Sequence, residues 1–270
     1  MVVKWHGKTS KELQLNGGGP QGGYFGILEY QCQSNSSANC VEPNSRFKFV
    51  DDLTTLEKIN LLLIGLTSYN TKQQVPNDIN ESNLYIPSEN LKSQHYLNEI
   101  HKWTENQKME LNEDKTKVMI FNFNKTKQFS TRITLKDKTI ETIKETKLLG
   151  TIITDNLKWN KNTRFLCKKA YRRMQILQKA ATFTSNRKDL IDIYKSYVRN
   201  VAEQSCVVWS SSLTKQNITE LERIQKVAVR IILGEYYPYS KALKMLNLET
   251  LKHRRHELTR SFFLVYIFFS

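Results

Sequence analysis

Asp51 and Asp52 stand side by side at the end of a short apolar run, Arg46-Phe47-Lys48-Phe49-Val50-Asp51-Asp52-Leu53. Neighbouring carboxylates repel one another, and each prefers to be protonated or to hold a cation. A hard divalent ion such as Mg2+ relieves that repulsion with oxygen ligands, usually one or two carboxylates together with substrate phosphates. The pair therefore points to a metal site for phosphoryl or nucleotidyl transfer. Asp also favours turns and caps, so a solvated turn after a strand is the other reading of the dipeptide taken alone. Phe47, Phe49 and Val50 suit a half-buried pleated surface, which makes the run a strand that delivers the carboxylates at its end.

The second chemical feature is charge. The chain carries a net charge of +15, and that excess is unevenly placed. Residues 1–157 hold 19 Lys+Arg against 18 Asp+Glu, whereas residues 158–270 hold 22 against 8. A concentrated basic block is the electrostatic footprint of a polyanion, because phosphate contacts supply sequence-independent affinity. A generic basic helical surface is the competing explanation. The remaining candidates for chemistry are sparse. Cys32, Cys40, Cys167 and Cys206 are widely spaced, with no C-x-x-C pair, so reduced thiols in an intracellular setting are expected. His253 and His256 are three apart but lack the acids or thiols of a zinc set, and a basic surface helix accounts for them.

The elements that must position these residues can be read from periodicity. Residues 1–16 hold one short strand and a Gly-Lys turn. Asn16-Gly17-Gly18-Gly19-Pro20-Gln21-Gly22-Gly23 is a Gly-rich loop, and residues 67–83 form a polar connection carrying Pro76. After Pro87, the apolar spacing of Ile86, Leu91, Tyr96, Ile100 and Trp103 predicts a helix that ends near Lys108. A turn at 111–116 precedes a predicted strand over 117–123. Residues 133–143 predict a hairpin around Lys136-Asp137-Lys138, and 148–153 predict another strand.

From Trp159 onward the period becomes helical. Leu166, Ala170, Met174 and Leu177 make one apolar stripe, beside a basic stripe of Arg164, Lys168 and Arg172 that Lys161, Lys169 and Arg173 join. A later helix repeats the design: Ile218, Leu221, Ile224, Ala228 and Ile231 on one face, Arg223, Lys226 and Arg230 on another. The apolar stripes are core. The basic stripes are solvated faces or contacts to a nucleic-acid backbone. No stretch reaches the roughly 18 apolar residues of a membrane span, so no membrane partner is expected. The opening residues show no secretory pattern, which together with the thiols predicts a nuclear or cytoplasmic protein that is not secreted. The apolar tail 263–270 reads as a truncated or misread end.

The order of these motifs resembles the C-terminal part of the reverse transcriptase of non-LTR retrotransposons, the jockey- and LINE-like group. Gly19-Pro20-Gln21-Gly22 lies upstream of Phe49-Val50-Asp51-Asp52. A Trp-bearing helix, Lys115 and Leu148-Leu149-Gly150 follow in the family's sequence. The likeness runs from about Lys4 to about Arg260.

The resemblance implies an α+β fold. Residues 1–157 would be an incomplete palm, an antiparallel sheet with helices, and 158–262 an all-helical basic thumb. It implies that Asp51 and Asp52 are catalytic and ligate Mg2+, two ions in the intact family site. Gly19, Pro20, Gln21, Gly22 and Phe49 would contact the template base and incoming nucleotide. Lys115 would lie near the triphosphate as a further catalytic group, and Leu148, Leu149 and Gly150 would form the primer grip. Arg164, Lys168, Arg172, Arg223, Lys226 and Arg230 would hold the backbone of an RNA–DNA duplex. The partners it implies are an RNA template, a DNA primer and a dNTP.

The chain departs from the family in two places. Gly23 replaces the usual Ser after the loop. The family's other catalytic strand carries an aspartate upstream of that loop, and this chain has no aspartate before Asp51; its earlier acids are Glu12, Glu29 and Glu42. The expectation is a polymerase fragment whose catalytic set is incomplete and which does not polymerise alone, lacking a segment that a longer gene would supply. The alternative is a non-enzymatic nucleic-acid-binding protein that keeps the basic helices.

Overall fold

Aromatic residues alternating with polar ones at 46–49 pair with the strand that follows the aspartates. Strand β3 (Arg46–Phe49) runs antiparallel to β4 (Asp52–Thr55), with Phe49 opposite Asp52 and Arg46 opposite Thr55. The computed structural model describes residues 4–5, 8–9, 39, 41–42, 46–49, 52–59, 83–124 and 128–269. Asp51, the 16–23 loop, and most of the 67–83 connection lie outside the described residues. A small hairpin, β1 (Lys4–Trp5) with β2 (Lys8–Thr9), precedes them. The architecture is mixed α+β, with small sheets and a large helical part.

The chain divides into two compact units. The first comprises 1–118 and 124–142; the second comprises 119–123 and 143–270. The division differs from the expected boundary at 157, because the hairpin at 145–154 goes with the helices.

In the first unit, helix α1 (Lys92–Asn106) is the organiser. It begins later and ends sooner than the apolar spacing predicted. Tyr96 and Ile100 pack with Val41, Leu53 and Leu111, so Leu53 seats the β3–β4 hairpin on the helix. A second small cluster joins Ile86, Leu91 and Ile133 with Leu97, Val118 and Phe129. It closes over a parallel pair, β5 (Asn83–Ile86) and β6 (Gln128–Thr131), which local periodicity did not reveal. Thr131 Oγ1 donates to the Ile86 carbonyl at 2.8 Å at the end of that pair. The hairpin expected at 133–143 is present but shorter, β7 (Thr134–Leu135) with β8 (Lys138–Thr139), extended by the Ile140 N–H donating to the Ile133 carbonyl.

The strand expected over 117–123 does not form. Val118 makes one isolated parallel bridge to Thr142, and 119–123 belong to the other unit. A strand needs a partner along its length, and here the flanking residues part company after the first.

In the second unit, 148–153 are not one strand but two. β9 (Glu145–Leu148) turns at Leu149-Gly150 into β10 (Thr151–Thr154). Both turn residues have positive φ, 46° and 83°, as a two-residue hairpin turn of type I′ requires.

Helix α2 (Asn160–Phe183) follows. Next come α3 (Arg187–Ile193), a π-helical stretch over Tyr194–Arg199, α4 (Asn200–Glu203) and α5 (Cys206–Trp209). The unit is completed by α6 (Lys215–Leu233), α7 (Tyr239–Met245) and α8 (Leu251–Phe269). The last helix takes in residues 263–269, which therefore continue regular structure rather than forming a separate tail.

The core of this unit is extensive. Leu166, Ala170, Met174 and Leu177 of α2 all point into it, as their spacing predicted, with Tyr194, Val198, Trp209 and Leu251. On α6 the buried face is Leu221, Ile224, Ala228, Val229 and Ile232, while Ile218 and Ile231 are only partly covered. Helices α2 and α6 pack directly, and their first turns are joined by Asn217 Nδ2 donating to Asn160 Oδ1 at 2.8 Å.

Two remote glutamates cap helices: α1, whose Leu91 N-cap position has no side-chain cap, and α8, where Thr250 Oγ1 accepts only from the His253 N–H at 3.1 Å. Glu57, just past β4, accepts from the Lys92 and Ser93 N–H groups at 3.0 and 2.9 Å. Glu222 of α6 accepts from the Leu251 and Lys252 N–H groups at 3.1 and 3.2 Å, and from the Tyr239 hydroxyl at 2.5 Å. Each carboxylate satisfies donors that a helix cannot pair internally and meets the positive end of its dipole. Among the described residues, no helix is long and apolar enough to cross a membrane.

Candidate functional site

The aspartate hairpin and the basic helices lie in different units. Asp52 opens β4 with its carboxylate exposed, opposite Phe49 in the ladder. Glu57, just past β4, is committed to the α1 cap and also accepts from Ser93 Oγ at 2.6 Å. Among the described residues no group of three His, Cys, Asp or Glu side chains could hold a metal ion.

Lys115 lies in the turn after Leu111, in the same unit as Asp52. Its N–H donates to Asn112 Oδ1, three residues back, at 3.0 Å, and its ammonium is exposed. Among the described residues no hydrogen bond or ion pair joins Lys115 to Asp52. Gly19, Pro20, Gln21 and Gly22 lie outside the described residues, as does Asp51.

In the second unit the structure brings Leu148, Leu149 and Gly150 together at one hairpin tip. Leu149 is exposed there. Gly150 lies against Gln204, leaving no room for a Cβ. Gln204 in turn accepts from Lys169 Nζ at 3.0 Å, and its backbone carbonyl accepts from Trp209 Nε1 at 3.0 Å. The hairpin tip is thus fastened to the helical core.

The basic residues of α2 separate into two groups that sequence alone did not distinguish. Lys161 pairs with Glu145, Lys169 bonds Gln204, and Arg173 donates to the Tyr197 carbonyl at 3.0 Å while lying over the Tyr197 ring at 5.0 Å. These three are internally committed. Arg164, Lys168 and Arg172 are exposed, and among the described residues no carboxylate pairs with them. Arg223, Lys226 and Arg230 of α6 are likewise exposed and without an acidic partner among the described residues.

Several features were not visible in the sequence. Lys226 lies over the Tyr239 ring at 5.2 Å and Arg230 over the Tyr236 ring at 5.5 Å, and Lys241 lies over Tyr237 at 5.4 Å. The available signal is three tyrosines within 236–239, directly after the helix-ending Gly234. Behind them, buried Gln225 accepts from the Tyr194 hydroxyl at 2.6 Å and donates to the Tyr239 hydroxyl and the Glu249 carbonyl.

Deeper still, Arg255 is 1% exposed, and its Nε and Nη1 have no hydrogen-bond partner among the described residues. Burial pushes its pKa down, against the pull of Glu222, Cys206 and Glu203. Glu203 is also held by Arg254, whose Nε donates to it at 2.7 Å. That hydrogen bond raises the Arg254 pKa.

The chain matches no protein-family model, no curated protein and no solved structure.

Proposed function

We propose that this chain is a nucleic-acid-binding protein of reverse-transcriptase descent, related to the C-terminal part of a non-LTR retrotransposon polymerase. Its helical unit grips the phosphate backbone of an RNA–DNA duplex. The observation that carries the reading is the division of cations on α2 and α6. Six exposed side chains, Arg164, Lys168, Arg172, Arg223, Lys226 and Arg230, lack an acidic partner among the described residues, whereas their neighbours Lys161, Lys169 and Arg173 are bound internally. Solvated faces of globular proteins ordinarily mix both signs of charge. Exposed cations without acidic partners, on two helices that share an apolar core, suit a surface of regularly spaced phosphates.

The test is a binding titration against salt. Reversing Arg223, Lys226 and Arg230 to glutamate weakens binding to an RNA–DNA duplex and lowers the slope of log affinity against log salt by about 3. All three side chains are exposed and outside the core, so the variant stays folded, with only a small fall in the thermal transition from the lost Lys226 and Arg230 ring contacts and the acid in the last turn of α6. A triple variant that binds duplex as well as its parent overturns the reading.

The second reading is template-directed nucleotidyl transfer, with Asp51 and Asp52 holding Mg2+ and Lys115 near the triphosphate. The observation in its favour is the antiparallel register that sets Phe49 opposite Asp52. It requires ligands from a further segment, because half of a carboxylate cluster stabilises transition-state charge poorly.

A further inference from the structure

The tyrosines that follow α6 line a half-open cavity of about 250 Å³ beside the basic stripe. Its floor is apolar and rigid: Val229, Leu233 and Ala242 are all buried. Its walls are Tyr236, Tyr237 and Tyr239. Tyr239 is fixed by the Glu222 and Gln225 hydrogen bonds, and the Tyr237 hydroxyl donates to Glu235. Tyr236 is different. It is 76% exposed, with Arg230 over its ring.

We propose that this cavity takes one unpaired nucleobase, stacked on Tyr236, from a single-stranded overhang of the duplex whose backbone phosphates lie along Arg223, Lys226 and Arg230. The proposal rests on the backbone-binding reading above and adds a base site to it.

The chemistry of the lining selects the occupant. The cavity lies below the ~300 Å³ at which pockets for drug-sized ligands begin, which suits one planar ring. The cationic donors of the lining, Lys226 and Arg230, belong to the rim, while the floor is apolar and Glu235 adds a carboxylate, so a phosphate is held at the rim rather than inside. A cation such as a methylated lysine would seek the aromatic faces, but Lys226, Arg230 and Lys241 already lie over all three rings and repel it. A neutral aromatic ring meets neither objection, and every base has a π-face to stack.

The rim supplies the attachment. Arg223 and Arg230 are seven residues apart on α6, about 10 Å of helix. That matches roughly three nucleotides of stacked strand. A strand following these cations passes the mouth of the cavity, since Lys226 and Arg230 belong to both features.

The experiment uses the full chain and fluorescence anisotropy. Three labelled probes are compared: a short single-stranded oligonucleotide, an abasic strand of equal length and charge, and a trimethyl-lysine peptide. The base-bearing strand is expected to bind about tenfold more tightly than the abasic one. Tyr236→Ala removes that advantage while leaving the abasic affinity and its salt slope unchanged, and Tyr236→Phe retains it. The site is overturned if the parent binds both strands equally. It is also overturned if Tyr236→Ala weakens both strands in proportion, or if the peptide binds in a Tyr236-dependent way. A parent that binds neither strand nor an RNA–DNA duplex overturns the backbone reading as well, whereas one that binds the duplex but neither strand overturns the base site alone. One that binds the abasic strand but gains nothing from bases overturns the pocket alone.

Discussion

Gln204 occupies the space into which a Cβ on Gly150 would project. The contact locks a β-turn against a helical core, and it makes the turn sequence testable. Gly150→Ala is expected to destabilise the chain by about 1–2 kcal/mol, because an L side chain is strained at φ 83° and must also push Gln204 off Lys169. Leu149 occupies the other positive-φ position, at 46°, with its side chain half in water. Leu149→Asn is expected to stabilise on the order of 1 kcal/mol, since Asn tolerates that conformation and little apolar burial is lost. Chemical denaturation measures both; a neutral Gly150→Ala would show that the turn relaxes freely.

Glu57 ties the aspartate hairpin to α1 through two backbone N–H groups. Glu57→Ala should cost about 1–2 kcal/mol, the usual loss when a helix cap is removed. The diagnostic signal is local. Hydrogen exchange at the Lys92 and Ser93 amides accelerates while that of the second unit's core does not. Unchanged exchange at those two amides would mean that the cap contributes nothing in solution.

Cys167 tests the burial of α2 by pH. Desolvation pushes its thiol up to about 11, Glu220 adds to the rise, and Arg255 opposes it. The native state therefore keeps a proton that the unfolded chain releases from its ordinary value of 9.0. Native stability is unaffected below that value and declines between about pH 9 and 11 as the unfolded thiol ionises first. Replacing Cys167 with Ser should flatten that decline, and alkylation of Cys167 at pH 8 should be slow. Rapid modification at pH 8 would contradict the burial.

Primer extension on an RNA template with Mg2+ separates the two functional readings. The chain alone is expected to incorporate no nucleotide, since no aspartate precedes Asp51 in its sequence to complete the carboxylate set that the catalytic reading needs. Clear incorporation that disappears in Asp51→Ala would establish catalysis instead.

The helices were legible because their information is local. Leu166, Ala170, Met174 and Leu177 recur at the helical period, and all four are buried. The hairpin at 145–154 was hidden because its turn begins with Leu149, an apolar residue in a conformation that glycine or asparagine normally takes. Lys117 to Phe123 has strand-like composition yet makes a single isolated bridge, Val118 to Thr142, and composition carries no information about strand pairing. The pairing of 83–86 with 128–131 is parallel and distant in sequence, so no local pattern encodes it.

The candidate site shows the same divide. The cations spaced at three and four were visible. Which of them are internally paired depends on Glu145, Gln204 and Tyr197, residues contributed by other elements.

Helix α8 exposes Phe262, Phe263, Leu264 and Val265 in succession, a cluster of apolar side chains facing water. That cluster and the cations of α2 and α6 respond oppositely to the solvent. Raising the ionic strength strips bound polyanions from the cations. Strongly salting-out anions such as sulfate also drive apolar surfaces together. Removing nucleic acid with ammonium sulfate would therefore trade one contaminant for self-association, whereas a chloride wash releases the polyanion with less of that penalty.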